Sequence, residues 1–273
     1  MGYKYLDVGG VNLPYLDEGE GNTIFLIPPW AASSVAFEGL REMLVKDGNR
    51  VISVDLPGWG ARSKDLLVDK DFDNYIDIVE KFIKSFDIKV YNVLGYSLGA
   101  TFLLHLLAQK RITPDKFILV SGFHSRKNIF ELDSKLKKNT KIFEVFKRRG
   151  WSLSYLKFFV KMSYFIELFV NPPYLLKGWY YMRLIFFDAM KGDIDSAITP
   201  MFTLKDIDVR SLEGFRGKPL VIYNRNEPWY FRQFSEEIAD MFNTEPSVVD
   251  GYSHRHLSFE PEKAYNVIKD FIK

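Results

Sequence analysis

The sequence predicts an α/β architecture: a mostly parallel central sheet flanked by helices. Three observations support it. Short apolar runs alternate with helix-period segments at both ends of the chain, and such alternation builds a parallel sheet covered by helices. A Gly-x-Ser-x-Gly pentapeptide, Gly95–Gly99, joins one of those strands to the helix after it. At 273 residues and 47% hydrophobic, the chain is long enough to bury one large core and carry an insertion.

Tyr3–Val8 and Val11–Leu16 form a predicted hairpin around Gly9-Gly10, and Asp17–Asn22 is a polar turn. Thr23–Ile27 is an apolar strand ending at Pro28-Pro29-Trp30. Ser33–Val45 is helical, with Ser33 or Ser34 as its cap and Phe37, Leu40 and Leu44 on one face. Arg50–Leu56 is a strand running into the Gly-rich loop Pro57–Ser63. Asp71–Phe86 is an amphipathic helix, with Phe72, Tyr75, Ile76, Val79, Phe82 and Ile83 at helical spacing. Val90–Leu94 is a buried strand, and a helix starts at Leu98. Strands follow at Lys116–Ser121, Leu220–Tyr223 and Pro246–Val249, and Glu262–Ile272 closes the chain as a helix.

The middle of the chain lacks this alternation. Trp151, Tyr155, Phe158, Phe159, Phe165 and Phe169 fall on one helical stripe, which Pro172-Pro173 ends. Its 14 basic and 7 acidic residues give residues 123–200 a charge of +7, against +2 for the whole chain. The expected organisation is a core of residues 1–122 and 201–273, with a helical cap of residues 123–200 inserted after the sixth strand. An aromatic interior and a cationic exterior suit a mobile lid over an apolar pocket, and contact with a membrane surface is compatible with that charge.

Composition excludes several classes. A net charge of +2 gives no global signature of nucleic-acid binding. There is no cysteine, hence no disulfide, thiolate nucleophile or cysteine-based metal site. The N-terminus, MGYKYLDVGG, lacks a basic-then-apolar signal, and Leu6 breaks the myristoylation pattern, so a cytoplasmic location is expected. No apolar run is long enough to span a bilayer.

The chemistry centres on Ser97. A pentapeptide flanked by glycines between strand and helix makes a turn too tight for side chains, holding the serine in a strained conformation with its hydroxyl outward. The helix N-terminus beyond it offers amide groups and a positive dipole end to a developing anion. A serine hydroxyl needs a base, and that base needs an orienting group. Of four histidines, His105 lies in the helix after Ser97, where packing is its expected role, and His124 opens the insertion as a hinge or substrate-contacting residue. His254 and His256 follow the last strand, where a loop histidine can lean over the Ser97 turn. Glu227 is the only carboxylate in the turn Asn224–Pro228. The order Ser97, Glu227, His254 is the order a Gly-x-Ser-x-Gly hydrolase requires.

With these residues the chain resembles the α/β-hydrolase superfamily, in its cap-bearing serine esterase and C–C hydrolase branch. The resemblance runs nearly end to end: Asp55–Ser63 matches the D-x-P-G-x-G-x-S loop, Gly95–Gly99 the nucleophile elbow, Asn224–Pro228 the acid turn, and Gly251–His254 the histidine loop. Pro261, seven residues after His254, favours His254 over His256 as the base. The resemblance implies an α/β-hydrolase fold, a catalytic triad of Ser97, His254 and Glu227, and an oxyanion hole made by the backbone N–H groups of Trp30 and Leu98. The candidate substrate pocket includes Trp30, Tyr96, His124 and Phe159, with Trp30 narrowing the acyl side, and Arg126 and Arg183 are candidate carboxylate clamps for the C–C hydrolase alternative. No metal and no cofactor are expected. The partner is a small-molecule ester or acyl substrate, not nucleic acid, and the protein is a monomer or homodimer. Three departures stand out: Pro28-Pro29 replaces His-Gly, the acid is Glu rather than Asp, and Asn224 replaces Gly. The expected activity is carboxylesterase-like, on esters with an apolar acyl or aromatic group. The alternatives are a C–C hydrolase, aminopeptidase or thioesterase using the same triad, or a non-enzymatic ligand-binding module.

Overall fold

The computed structural model describes residues 2–125, 187–207, 212, 217, 219–251 and 254–273. The stripe Trp151–Phe169 and the residues Arg126, Phe159 and Arg183 lie outside the described residues. Eight strands make one sheet: β1 (Lys4–Asp7), β2 (Asn12–Glu18), β3 (Asn22–Ile27), β4 (Asn49–Val54), β5 (Tyr91–Tyr96), β6 (Lys116–Val120), β7 (Leu220–Asn224) and β8 (Ser247–Val249). Their order is β1-β2-β4-β3-β5-β6-β7-β8. β2 is antiparallel to its neighbours β1 and β4, and every pairing from β4 to β8 is parallel.

The two faces of the sheet follow from the period of two along each strand. Phe25, Ile27, Val93, Phe117 and Leu119 face one core cluster. It is covered by α2 (Phe72–Lys84), α3 (Leu98–Ala108) and α5 (Trp229–Met241). Ile24, Leu26, Leu94, Ile118 and Val120 face the other. That face is covered by α1 (Glu38–Lys46) and α7 (Pro261–Ile272). Between them in the chain lie α4 (Ile194–Thr203) and the one-turn α6 (His256–Phe259).

Local chemistry sets the element ends. Ser33 caps a 3-10 turn, Ser34–Phe37, by accepting from the Val35 amide, and α1 continues from it. Asp71 caps α2 through the Asn74 amide. One expectation shifts: the polar residues after Leu16 are strand, not turn, because β2 continues to Glu18. Asp17 is held by Arg50 on the facing strand at 2.8 Å, and Glu18 by Arg41 at 2.9 Å, so charge pairing replaces apolar burial there. The expected cap boundary at 200/201 falls inside α4, which runs through Pro200.

Candidate active site

Ser97 stands between β5 and α3 with φ 54° and ψ −117°, a left-handed conformation that a residue with a side chain adopts only under constraint. The flanking glycines make it attainable. A Cβ on Gly95 would lie 2.6 Å from the Ala100 backbone, and one on Gly99 would lie 2.3 Å from the Ile27 carbonyl oxygen. The start of α3 is therefore pressed against the end of β3, next to Trp30. The Pro29 carbonyl accepts from the Ala32 amide at 3.1 Å, closing a turn around Trp30 in which Ala31 also has positive φ. Leu98 is the first residue of α3, so its amide precedes the first intrahelical acceptor.

The histidine and the acid meet the serine in a line. His254 Nε2 lies 2.9 Å from Ser97 Oγ, and His254 Nδ1 lies 2.8 Å from Glu227 Oε2. Glu227 is 3% exposed, and its second oxygen accepts from the Asn224 amide at 3.1 Å and the Ser121 hydroxyl at 3.2 Å. Asn224 also closes the turn, its carbonyl accepting from the Glu227 amide and its Oδ1 from the Asn226 amide. Where the resemblance has glycine, asparagine thus supplies the side chain that shapes the turn. Above the imidazole lies the Phe231 ring, stacked at 3.8 Å between centroids and 18° between planes. Tyr96 donates its hydroxyl to the His254 carbonyl, holding the histidine loop from below.

Beside Ser97 opens a cavity of about 120 Å³, whose walls include Trp30, Tyr96 and His254, with Ala32, Ala36 and Ala189. Two expected pocket residues, Trp30 and Tyr96, line it. His124 is not among the residues lining this cavity; its Nε2 lies 2.6 Å from Glu237 on α5, and its ring meets Phe234 edge-on. Phe159 lies outside the described residues. His105 is buried, packed edge-on to Phe72, and burial lowers its pKa from 6.5 to about 4. His256 is also buried, against the Tyr96 ring, and it is His254 that faces Ser97.

The Gly-rich loop anchors the described end of the insertion. Asp55 is fully buried and accepts from the Ser34 amide, the Ser34 hydroxyl and Arg62 Nε. Burial pushes its carboxyl up, while the Arg62 guanidinium and Ser34 draw it down. Arg62 also reaches Asp188, which accepts from the Ala61 amide and the Ser33 hydroxyl. Trp59 and Tyr75 both donate to the Ser196 carbonyl, and Trp30 donates its indole N–H to the Ala197 carbonyl at 2.6 Å. Sequence reasoning missed Ser121, Asn224 as a shaping group, Phe231 and Asp188. Ser121 had a signal, a polar residue just past the carboxyl end of a buried strand, where sheets of this kind place their sites. Asp188 had none, because its partners lie more than a hundred residues away.

A family model described as the alpha/beta hydrolase fold matches residues 22–151. The AB hydrolase superfamily protein YisY of Bacillus subtilis (strain 168) is 25% identical over 279 residues, covering 99% of each chain. The chain has the α/β-hydrolase fold. Among solved structures, a carboxylesterase from the ammonia-oxidizing thaumarchaeon Nitrososphaera gargenis is similar with TM-score 0.77 and 18% identity, over 98% of this chain and 97% of that one. A bromoperoxidase from Bacillus anthracis is similar with TM-score 0.77 and 16% identity, over 99% of both. At such identities the likeness is one of fold, and the two descriptions name different chemistries. The reaction must therefore be argued from the site. Among the described residues no helix is long and apolar enough to cross a membrane, and no cluster of three or more His, Asp or Glu could hold a metal ion.

Proposed function

We propose that this protein is a serine hydrolase of carboxylic esters, working through Ser97, His254 and Glu227 and an acyl-enzyme. The observation that carries the proposal is the hydrogen-bonded line from Glu227 Oε2 through His254 to Ser97 Oγ, at 2.8 and 2.9 Å. Ser97 Oγ attacks the ester carbonyl carbon while His254 Nε2 takes its proton. The oxyanion forms against the amides of Leu98 and Trp30. Collapse breaks the ester C–O bond, and the alcohol leaves with the proton from Nε2. Water then attacks the acyl carbonyl, gives its proton to Nε2, and the acid departs as Ser97 recovers its hydrogen. Glu227, dry and held by Asn224 and Ser121, keeps Nδ1 as a donor and favours the transient imidazolium. Pro28 and Pro29 lack N–H groups, but neither is a donor this mechanism uses. Residues 123–200 act as a lid: their described end docks on the Gly-rich loop, and Ala189 forms part of the cavity wall.

The test is hydrolysis of p-nitrophenyl esters from acetate to palmitate by the wild type and Ser97→Ala side by side. Turnover in the wild type and its loss by about three orders of magnitude or more in the variant is the expected result. A folded wild type inert on every ester would overturn the esterase reading and direct attention to C–C and amide bonds.

A further inference from the structure

We infer that Trp30 positions the proposed oxyanion hole through its indole N–H, and that Pro200 on α4 makes the socket that receives it. The inference rests on the Ser97 mechanism proposed above and adds two positioning residues to it. α4 runs from Ile194 to Thr203 with Pro200 inside it. In an α-helix the amide of residue 200 would donate to the carbonyl of residue 196, four positions back. Proline has no N–H, and its ring crowds that same carbonyl. The Ser196 carbonyl therefore lacks its helical donor, and a buried carbonyl needs another.

Two core aromatics supply it. Trp59 Nε1 and the Tyr75 hydroxyl each lie 3.0 Å from the Ser196 carbonyl oxygen. Both side chains are fully buried, and their ring centroids are 5.4 Å apart. The Gly-rich loop presses on the same turn of α4. Its Gly58 carbonyl accepts from the Asp193 amide at 2.7 Å, and a Cβ on Gly58 would lie 2.4 Å from Ser196 Oγ. The first turn of α4 is thereby fixed to the core. The next carbonyl along the helix, that of Ala197, accepts from Trp30 Nε1 at 2.6 Å.

The turn that carries Trp30 needs such an anchor. Ala31 has φ 56°, a left-handed conformation that a residue with a Cβ keeps only where its surroundings over-determine it. One restraint is local, the Ala32 amide donating to the Pro29 carbonyl at 3.1 Å. The indole bond to α4 is a second, from a segment remote in the chain. The Trp30 amide is one of the two proposed oxyanion donors. Tilting that amide weakens its hold on the tetrahedral intermediate more than on the ground-state ester, because the charge develops only on the way to that intermediate. The indole bond therefore acts on kcat rather than on KM.

The experiment compares two variants of the full-length protein with the wild type. Trp30→Phe keeps a ring and loses the N–H. Pro200→Ala restores the amide that competes for the Ser196 carbonyl. The readouts are kcat and KM for p-nitrophenyl esters, and the affinity of phenylboronic acid by calorimetry, which needs no turnover. In the boronate adduct Ser97 Oγ bonds to boron, its proton passes to His254, and one B–OH oxygen enters the oxyanion hole. The expected result is a fall in kcat of about tenfold in Trp30→Phe and about threefold in Pro200→Ala, with KM within about twofold and boronate affinity weakened in step. Pro200→Ala should melt no lower than the wild type, since alanine is the better helix former. Ile268→Ala, destabilised in the layer formed by α1 and α7, should keep both kcat and boronate affinity. Unchanged kcat and boronate affinity in either folded variant, or a rise in KM alone, overturns the inference and leaves the hydrolase reading standing. A wild type that turns over no ester but whose boronate affinity falls in both variants overturns the ester reading alone. One that neither turns over esters nor binds boronate overturns both.

Discussion

Ser97 alone is an ordinary hydroxyl; its environment makes it a candidate nucleophile. The groups that reach it least directly offer the sharpest tests of the proposed mechanism. The Ser121 hydroxyl donates to Glu227 at 3.2 Å. Ser121→Ala should therefore lower kcat about fivefold, the value of roughly 1 kcal/mol of lost orientation, with little change in KM. A rise in KM with kcat intact would place Ser121 outside the acid's support. Phe231→Ala removes the face stacked on His254, and a comparable fall in kcat without loss of fold is expected. A different test concerns stability. His105 has its pKa lowered to about 4 by burial, with Asp73 opposing that shift, while the unfolded chain titrates near 6.5. Between those values the unfolded state holds more protons, so this contribution is full above about pH 6.5 and is lost as pH falls toward 4. Against His105→Leu, the wild type should lose about 3 kcal/mol of relative stability over that window, read by denaturant melts at several pH values. Parallel curves would show that His105 titrates alike in the folded and unfolded states.

At the scale of elements, the two loops that flank β4 and β3 act as one platform. Asp55, at the end of β4, bonds the first residue of the 3-10 turn that follows β3, so the Gly-rich loop and the Trp30 turn move together. Arg62 and Asp188 then join that platform to residues 187–190, while Lys70 meets Asp193 and Asp195 at the start of α4. The Ile207 amide donates to the His124 carbonyl, joining the stretch after β6 to the stretch after α4. Asp188→Ala would strip an acceptor from Ala61, Ser33 and Arg62 at once, at a cost of about 2–3 kcal/mol. The melting temperature should fall by about 5 °C or more, and KM for short esters should rise because Ala189 forms a wall next door. An unchanged melting temperature would show that Asp188 does not anchor the segment.

For the whole molecule, stability comes from covering both faces of one sheet. α7, from the far end of the chain, packs against α1 from near its start. Ile268 and Ala264 are fully buried in that layer. Ile268→Ala should cost about 3 kcal/mol and several degrees of melting temperature with little effect on kcat, because the site lies at the strand ends rather than in the helical layer. Much of this architecture is legible in the sequence. Alternation along β3, β5 and β6 assigns the faces, because the strand period is a local property. The elbow is legible for the same reason: strand, glycines, serine and helix are consecutive. Chain order supplied Glu227 and His254 as candidates. Other features depend on residues distant in sequence. His254 faces Ser97 while His256 is buried against Tyr96, a choice made by the packing of the loop on β5. His124 is drawn to Glu237, and β2 keeps its polar end because Arg41 and Arg50 wait opposite. By itself, then, the sequence determined the strands, their faces and the strained turn that presents Ser97, since those need only neighbours along the chain. Only the tertiary structure decided where His124 is held, what steadies Glu227 and what lines the cavity beside Ser97, since those contacts exist only once remote segments have packed.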